Sequence, residues 1–494
     1  MGTVTADQMR ELEQAAFRAG SSAGGLMAIA GRRLGIAFQQ FFPEPGTVVA
    51  YLGKGHNAGD ALVALRVLRE AGWQVAVRAA YPEVEWASLT RAMARELGDF
   101  DRLHAPPHRM ETKRPLVLLD GLLGIGAKGA LRGMSAALAA EMAQLRQIAG
   151  ARVAAVDLPS GIDPDRGEIY PKAVQADVTF TIGVPKRGLL MAEAVNAVGA
   201  LVLVPVEELP VPAGGDLQMT APWTLAAGQS PRAFDFHKGM AGRVGILAGS
   251  HAYTGAAVLA ATGALRGGAG LVTLHVPEDA AASISAKCPP EVMVQIIHNP
   301  IEMLDHPYDS LVIGPGLGKV SSTGLRALLD HASTPCVIDA DALNALAESG
   351  GIGELGARHV LTPHPGEFRR LAPDLAELPR EQAARAFADR HAPVLLFKGA
   401  RTLVTQKGAP LWVNPTGTPG MASGGQGDSL SGVIGALMAG GIPPLEAAAL
   451  GAWLCGRASE RAMTACETSE ESLLATDTLD HLGGAFRDWR EFCR

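Results

Sequence analysis

Short apolar runs that end in glycine-rich loops, each followed by a helical stretch, recur along the whole chain. This alternation is typical of βαβ units, in which helices cover the faces of a mostly parallel sheet. The pattern therefore predicts an α/β fold in both halves, with a doubly wound parallel sheet in the first. The predicted strands are 47–53, 74–80, 116–120, 153–157, 178–183 and 201–206, then 243–248, 271–276, 310–313, 336–338, 360–361 and 394–398.

A chain of 494 residues is longer than one hydrophobic core usually organises, so we expect two domains of about 200–270 residues each. Proline, glycine and acidic residues crowd together at 205–215, where the alternation stops. We place a linker at 207–225 on this ground. The predicted domains are residues 1–215 and 226–494.

Composition restricts the class of ligand. Hydrophobic residues make up 48% and charged residues 19%, an ordinary globular balance, and the net charge is −7 without any basic block interleaved with aromatics. We therefore expect small-molecule ligands and no nucleic acid. The uncharged run 429–445 is broken by glycines and prolines, which predicts no membrane span. The cysteines lack C-x-x-C spacing, as in reduced cytoplasmic proteins.

In the first half, three loops follow predicted strands, and each carries a carboxylate. They are the glycine loop 53–60, the segment 120–126 that begins with Asp120, and the segment 157–161 that begins with Asp157. Ligands of open α/β sheets bind beyond the carboxyl ends of the strands, so these loops are expected to form one crevice. Asn57, Asp120 and Ser160 offer hard oxygen ligands that suit a cation and not zinc. An alternative for the first loop is a plain glycine turn with Asp60 as helix N-cap.

The order Asn-x-Gly-Asp, Asp-x-Leu-x-Gly-x-Gly and Asp-x-Pro-Ser-Gly over residues 5–210 resembles the NAD(P)H-hydrate epimerase domain, which is Rossmann-like. The resemblance implies that Asn57, Asp120 and Ser160 hold a potassium ion, and that Asp157 acts as acid or base at the hydrated carbon. It also implies substrate contacts from Asp157 and from two loops. Those loop residues are His56, Asn57, Ala58, Gly59 and Asp60, with Gly124, Ile125, Gly126, Ala127, Lys128, Gly129 and Ala130.

The chain departs from that family's usual pattern at His56, Ala58 and Ala61 in the first loop, at Ile125 in the second, and at Ala28. The three implied cation ligands are all present. We therefore expect an active epimerase, with these ligand-facing differences bearing on its rate.

In the second half, a glycine-rich loop with glycines at 420, 424, 425 and 427 leads to Asp428 and a helical stretch. Such glycines let consecutive backbone N–H groups point inward as an anion-binding nest, and the following helix N-terminus adds favourable dipole charge. Asp428 at its mouth can take the proton of an attacking hydroxyl. The alternative is an N-cap aspartate on a glycine turn, which would not require so many glycines.

The Gly-x-Gly-Asp sequence at 425–428 resembles the ribokinase-like superfamily. Further segments occur in the order seen in NAD(P)H-hydrate dehydratases, and they cover 230–490. They include Gly-Gly-Ala-Gly at 267–270, Gly-Pro-Gly-Leu-Gly at 314–318, Asp-Ala-Asp-Ala-Leu-Asn at 339–344, Thr-Pro-His-Pro-Gly-Glu at 362–367 and Lys-Gly-Ala-Arg-Thr at 398–402.

This second resemblance implies substrate contacts from Ala256, Gly316, His364 and Asp428. It assigns the adenine nucleotide to Lys398, Gly399, Ala400, Arg401, Thr402 and Gly427, with magnesium bridging its phosphates. His364 and Lys398 have alternative interpretations as a polar loop histidine and a surface lysine. We expect Asp339 and Asp341 to satisfy backbone groups or waters, and Glu367 either to position magnesium-bound water or to be structural.

Together the halves resemble bifunctional NAD(P)H-hydrate repair enzymes, which are both isomerase and lyase. The resemblance implies epimerisation of hydrated NADH and NADPH, dehydration of the S epimer at the expense of ADP or ATP, and a homo-oligomer. Two alternatives stay open. One is an ordinary ribokinase-like small-molecule kinase, and the other is a first domain that has become a nucleotide-binding or regulatory module.

Overall fold

The computed structural model describes residues 1–107, 115–210, 214–221, 232–318, 321–465 and 468–492. The chain forms two compact units, Met1–Gly215 and Asp216–Arg494. Each unit contains one sheet with helices packed against it, so the mixed α/β fold with parallel sheets is confirmed. No helix within the described ranges is both long enough and apolar enough to cross a membrane.

Within the described part of the first unit, seven strands form one parallel sheet in the order β3-β2-β1-β4-β5-β6-β7. The strands are β1 (Thr47–Leu52), β2 (Gln74–Ala79), β3 (Asp101–Arg102), β4 (Leu116–Gly121), β5 (Arg152–Val156), β6 (Val178–Ile182) and β7 (Ala200–Val204). The helices are α1 (Ala6–Arg18), α2 (Ala23–Phe41), α3 (His56–Glu70), α4 (Ser88–Leu97), α5 (Gly133–Ala149) and α6 (Val195–Val198). This is the doubly wound order of dinucleotide-binding folds, as the Rossmann-like expectation requires.

The second unit contains a sheet of ten strands among its described residues, in the order β11-β10-β9-β12-β13-β14-β15-β16-β17-β8. These are β8 (Leu217–Met219), β9 (Arg243–Leu247), β10 (Leu271–Val276), β11 (Val292–Ile296), β12 (Ser310–Ile313), β13 (Cys336–Ile338), β14 (Val360–Leu361), β15 (Val394–Phe397), β16 (Leu403–Thr405) and β17 (Leu411–Val413). Strands β9 to β15 run parallel, whereas β16 is antiparallel to both β15 and β17.

The helices of the second unit alternate with its strands and then close the chain. They are α7 (Thr254–Arg266), α8 (Glu278–Ser285), α9 (Ser322–His331), α10 (Ala340–Glu348), α11 (Pro365–Leu371), α12 (Arg380–Arg390), α13 (Gln426–Ala439), α14 (Pro444–Ala465) and α15 (Ala475–Phe492).

Two small-residue helices, α7 and α13, approach each other closely in the second unit. A Cβ on Gly432 would lie 2.0 Å from the Ala260 carbonyl oxygen, and one on Gly263 would lie 2.4 Å from the Ser429 carbonyl oxygen. Only glycine fits at these two crossing positions. The close approach places the N-terminal ends of both helices beside each other, at the edge where the parallel strands end.

The predicted strands all form, with bounds that differ by at most two residues. The predicted linker at 207–225 is wrong in part, because Leu217–Met219 is β8 and pairs with β17. A three-residue strand is too short to give a readable alternation. The sequence analysis also missed β3, β16 and β17, which have two or three residues, and β11, which has five, although it found the equally short β13 and β14. The rest of the predicted linker includes residues 211–213 and 222–225, which lie outside the described residues.

Candidate active sites at the carboxyl ends of two sheets

The first site lies where the strand order of the first sheet reverses, between β1 and β4. Asn57 is in the first turn of α3, directly after β1, and Asp120 is near the end of β4. A Cβ on Gly53 would lie 1.8 Å from the Leu122 carbonyl oxygen, so only glycine lets these two loops come together. A switch point of this kind is the usual ligand crevice of a doubly wound sheet.

The structure brings Asn57, Asp120 and Ser160 together around the main chain of Leu123. Asn57 Nδ2 donates to the Leu123 carbonyl oxygen at 2.9 Å, and the Leu123 N–H donates to Ser160 Oγ at 2.9 Å. Ser160 in turn donates to Asp120 twice, from Oγ to Oδ1 and from its backbone N–H to Oδ2, both at 2.7 Å. These contacts fix the three side chains relative to one another, although Asp120 and Ser160 are 40 residues apart in the sequence.

Asp120 is fully buried, and no lysine or arginine among the described residues forms an ion pair with it. Burial raises the pKa of its carboxyl to about 6, and the hydrogen bonds from Ser160 and Leu122 oppose that rise. A buried carboxylate without a protein cation is a position where a bound cation would supply the missing positive charge. With oxygens from Asn57 and Ser160 beside it, the donor set fits a hard monovalent cation.

Asp157 follows β5 in the left-handed backbone region, with φ of 66°, a conformation that aspartate tolerates better than most residues. Its Oδ1 accepts hydrogen bonds from the Ile182 N–H at 3.0 Å and from Lys186 Nζ. Lys186 is 1% exposed, and its Nζ also donates to the Ile182 carbonyl oxygen at 2.8 Å. Sequence reasoning found Asp157 but missed this buried lysine, which follows the end of β6 as Asp157 follows β5.

Two more carboxylates lie close to this ion pair. Burial raises the pKa of Asp60 well above its usual range, Asp157 and Glu13 add to the rise, and Lys186 opposes it. Burial likewise raises the pKa of Glu13, against the effect of Lys186. Asp157 bonds the Lys186 ammonium group directly, whereas Asp60 and Glu13 interact with it only electrostatically, so this side of the crevice can hold a proton. The N-cap interpretation of Asp60 is wrong, because Gly55 is the N-cap of α3.

The two predicted substrate loops border this crevice. In the first, His56 is exposed while Ala58 and Gly59 are buried, and a Cβ on Gly59 would lie 2.5 Å from Met27 Sδ. In the second, residues 124–130 are exposed or half-buried. A Cβ on Gly124 would lie 3.3 Å from Asn57 Cβ, so the second loop begins beside the oxygen cluster.

The second site is built around the start of α13. Gly425 is its N-cap with φ of 90°, and no side chain caps this helix, so the N-cap interpretation of Asp428 is wrong. Within the described chain, the backbone N–H groups of residues 424–428 have no hydrogen-bond acceptor assigned, whereas Ser429 N–H donates to the Gly425 carbonyl oxygen. Unpaired amides at a helix N-terminus form an anion-binding position.

The glycines of the loop differ in what they do. A Cβ on Gly420 would lie 3.0 Å from Leu473 Cβ, so this glycine serves packing. A Cβ on Gly425 would lie 2.4 Å from Leu259 Cδ1, whereas Gly424 has open space beside it. Gly427 faces Lys398, whose Nζ would lie 3.3 Å from a Cβ there. The unpaired amides of residues 424–428 are at the start of α13, and a role of Gly420 in the nest stays a prediction.

Asp428 faces a charged cluster of Asp339, Lys398 and Glu367. Lys398 Nζ lies 2.7 Å from Asp339 Oδ1 and 3.8 Å from Glu367 Oε2, and Asp339 Oδ2 accepts from Ser431 Oγ at 2.7 Å. Burial raises the pKa of Asp428 to about 6, Asp339 adds to the rise, and Lys398 opposes it. Burial alone would lower the pKa of Lys398, but Asp339 and Glu367 outweigh burial and raise it.

Asp341 and Asp339, both expected to bind backbone groups or waters, differ in the contacts they make. Asp341 accepts from the Gly318 N–H at 2.8 Å, which agrees with its expected backbone role. For Asp339 the expected backbone role was wrong, because in the described contacts it binds the side chains of Lys398 and Ser431 and no backbone group. Lys398 follows β15, which is separated from β13 by β14 in the sheet, and Ser431 lies on α13, so the linear sequence does not show either partner.

His364 is the N-cap of α11 and forms a capping box with Glu367. Its Nδ1 accepts from the Gly366 N–H at 2.9 Å, while its Nε2 lies 3.4 Å from Glu367 Oε1. About half of the side chain is exposed, at 52%. His364 therefore combines a structural role with an imidazole face that is open at the edge of the sheet.

Ala256 and Gly316, both expected to contact the substrate, lie beside each other. A Cβ on Gly316 would lie 2.7 Å from Ala256 Cβ and 2.9 Å from Tyr253 Cβ. Gly316 has φ of 62°, which favours glycine. Loops after β9 and β12 thus meet beside the first turn of α7.

The expected nucleotide loop, residues 398–402, connects β15 to β16. Arg380, which the sequence analysis missed, donates from Nη2 to the carbonyl oxygens of Phe397, Lys398 and Arg401 at 3.1–3.3 Å. The Arg401 side chain is buried, and its Nη1 donates to the Pro415 carbonyl oxygen at 2.9 Å. A nucleotide would meet Arg401 through its backbone, whereas Gly399 and Ala400 are exposed.

Two family models match the chain, one in each of its two units. A family model described as NAD(P)H-hydrate dehydratase matches residues 244–481, and one described as YjeF-related protein N-terminus matches residues 23–188. A curated bifunctional NAD(P)H-hydrate repair enzyme from Gloeobacter violaceus is 37% identical over 484 residues, covering 92% of this chain and 94% of that protein.

Solved structures align with a little over half of the chain. A hypothetical protein from Streptococcus mutans aligns with a TM-score of 0.50 at 24% identity, covering 56% of this chain and all of that one. An ADP/ATP-dependent NAD(P)H-hydrate dehydratase from Bacillus subtilis, co-crystallised with ATP/Mg²⁺, aligns with a TM-score of 0.49 at 28% identity over 56% of this chain and all of its own.

Proposed function

The chain belongs to the family of bifunctional NAD(P)H-hydrate repair enzymes, and we propose that its two sites carry out the two successive repair reactions. The first unit interconverts the R and S forms of hydrated NADH and NADPH. The second unit dehydrates the S form at the expense of ADP or ATP. The observation that carries the proposal is Asp428, half-buried in front of unpaired backbone amides at the start of α13.

In the second unit, Asp428 takes the proton of the hydroxyl at C6 of the hydrated ring. That oxygen forms a bond to the terminal phosphorus of the nucleotide, and the bond from this phosphorus to the bridging oxygen breaks. The amides of residues 424–428 and the ammonium group of Lys398 stabilise the charge on the transferring group. Phosphate then leaves C6 with the bonding electrons, C5 loses a proton, and the ring double bond returns.

Asp339 and Glu367 hold the Lys398 ammonium group at this place, because both carboxylates lie within 4.0 Å of its nitrogen. The backbone of the loop at 398–402, fixed by Arg380, borders the expected adenine nucleotide. Ala256, Gly316 and His364 line the side on which the hydrated nucleotide would lie. Phosphate is a far better leaving group than hydroxide, which makes nucleotide cleavage the driving force of dehydration.

In the first unit, Asp157 takes the proton of the C6 hydroxyl while the bond between C6 and the ring nitrogen breaks to leave an aldehyde. The nitrogen then attacks the other face of that aldehyde, and the oxygen regains the proton. Lys186 and the Ile182 N–H both hold the carboxylate in place by donating to its Oδ1. Asp60, whose pKa is raised by burial, is in position to keep or return a proton near the same group. The loops at 56–60 and 124–130 border the substrate.

The residues present fit the two expected cations. Asn57, Asp120 and Ser160 would hold potassium, which would orient the loop after β4 and neutralise the buried carboxylate. Magnesium would bind the nucleotide phosphates in the second unit, where it needs few protein ligands, and Glu367 and Asp428 supply carboxylates nearby. Magnesium when bound offsets the negative charge of the phosphates during transfer.

The direct test supplies pure S-form hydrated NADH with ADP and magnesium and follows the absorbance of the reduced nicotinamide. Wild type should restore it, and Asp428→Asn should abolish the recovery while ADP binding by calorimetry persists. Asp480→Asn, a loss of one exposed carboxylate elsewhere in the same unit, is the control. Near-normal turnover by Asp428→Asn, or a stable phosphorylated product without recovery in wild type, would contradict the proposal and favour an ordinary kinase.

A further inference from the structure

Helix α1 lies outside the part of the chain that the family models match, which begins at residue 23. It is nevertheless tied to the loops that follow β5 and β6. Val4 pairs with the backbone beside Lys186, through Val4 N–H to the Pro185 carbonyl oxygen at 3.1 Å and Arg187 N–H to the Val4 carbonyl oxygen at 3.0 Å. The Ala6 N–H, in the first turn of α1, donates to Asp165 Oδ1 at 2.6 Å.

These ties direct one face of α1 towards the first site. Arg10 and Glu13 are three residues apart and share a helix face. Glu13 is half-buried and interacts electrostatically with Lys186, Asp157 and His56. The Arg10 Nη2 lies 4.0 Å from the position that a Cβ on Gly126 would take, so the guanidinium group is at the expected substrate loop.

Arg10 is available for a ligand. Among the described contacts its guanidinium group has one ion pair, to Asp7 at i−3, and both side chains are largely exposed, at 45% and 84%. Exposed pairs of this kind contribute little, so an incoming anion can displace Asp7. Arginine binds phosphate oxygens through two parallel N–H groups, which a lysine in the neighbouring loop cannot do.

We propose that Arg10 on α1 binds a phosphate group of the hydrated dinucleotide in the first site. The inference rests on the proposed epimerase function and adds α1 as a wall of that site. The phosphate is either the diphosphate bridge, which NADH and NADPH share, or the 2′-phosphate, which only NADPH carries.

The test measures epimerisation by the full-length protein with Arg10→Gln and with Arg18→Gln, a matched loss of one arginine from the last turn of the same helix. Both hydrated NADH and hydrated NADPH are used. Arg10→Gln should raise KM about tenfold with little change in kcat, because a charge-assisted contact is lost from binding alone. Arg18→Gln should leave KM unchanged, and urea unfolding of the first unit, compared with wild type, reports whether each variant is folded.

A rise in KM for both substrates assigns the diphosphate, and a rise for hydrated NADPH alone assigns the 2′-phosphate. The salt dependence of KM should also become weaker in Arg10→Gln. The inference is overturned if KM for both substrates stays within twofold of wild type, or if Arg18→Gln raises KM equally. Absence of epimerisation in wild type would instead contradict the proposed function itself.

Discussion

The pH dependence of dehydration follows from the position of Asp428. Its carboxylate must be ionised to accept the hydroxyl proton, and its pKa is raised to about 6 by burial and by Asp339. Activity should therefore be complete above this pKa and lost below it. At pH 5 about one tenth of the enzyme would be ionised, so the rate should fall about tenfold from its plateau and tenfold again for each further pH unit.

A second variant tests whether ionisation of Asp428 causes this fall in rate at low pH, the acid limb of the pH profile. Asp341 also raises the pKa of Asp428, and its Oδ2 accepts from the Gly318 N–H. Asp341→Asn keeps an acceptor oxygen but removes the charge. The acid limb should then move to lower pH, by less than about one unit because a screened charge contributes up to about 1 kcal/mol.

The assay records initial rates of nicotinamide recovery at saturating ADP from about pH 4.5 to pH 8, with thermal melts at each pH to exclude unfolding. Asp428→Asn should lower kcat by about 10²–10⁴-fold, the usual contribution of a general base. A rate that stays constant down to about pH 5 would refute the assignment of the base. If the acid limb moved to higher pH in Asp341→Asn, the fall in rate could not be attributed to Asp428 and its acidic neighbours.

Three further predictions concern the units separately. Lys186→Met should abolish epimerisation and destabilise the first unit in urea by about 3–5 kcal/mol, because Asp157 loses its buried partner, while dehydration should continue; retained epimerisation would contradict the role of the ion pair. Folding raises the pKa of Asp120 to about 6, so its contribution to the stability of the first unit is lost as pH rises from the carboxyl's usual pKa to about 6. Above that pH the buried carboxylate is charged and can bind potassium, so potassium should raise Tm more at pH 7.5 than at pH 5. Asp120→Asn should remove that potassium effect, and an equal effect of potassium at both pH values would count against the site. Gly432→Ala should destabilise the second unit by about 1–3 kcal/mol because its Cβ meets the Ala260 carbonyl oxygen, and Gly440→Ala, with its nearest atoms at 3.5 Å, should be close to neutral in the same denaturation experiment.

Much of the fold was predictable because its signals are local. A buried parallel strand is an apolar run, and the loop after it shows its glycines and its carboxylate, as at Asp120 and Asp157. The short edge strand β8 gave no signal, since three residues cannot display a period and its central residue is Gln218, whereas the equally short β13 is wholly apolar. The predicted residues of the first site remain predictions of function, although the structure does bring Asn57, Asp120 and Ser160 together.

The partners of these residues were not predictable, since pairing depends on strand order. Lys186 is separated from Asp157 by a whole strand and loop, and Lys398 from Asp339 by two strands. The sequence shows that each residue follows a strand. Only the order of strands in the sheet determines that β5 lies beside β6, and which side chains then meet.

The most direct test of the account supplies the full-length protein with a mixture of both epimers of hydrated NADH, together with ADP, magnesium and potassium. Wild type should convert the whole mixture to NADH. Lys186→Met should stop when the S form is consumed, and Asp428→Asn should return NADH about 10²–10⁴-fold more slowly than wild type. Complete conversion by Lys186→Met at the wild-type rate, or any rapid recovery with Asp428→Asn, would contradict the assignment of the two reactions to the two sites.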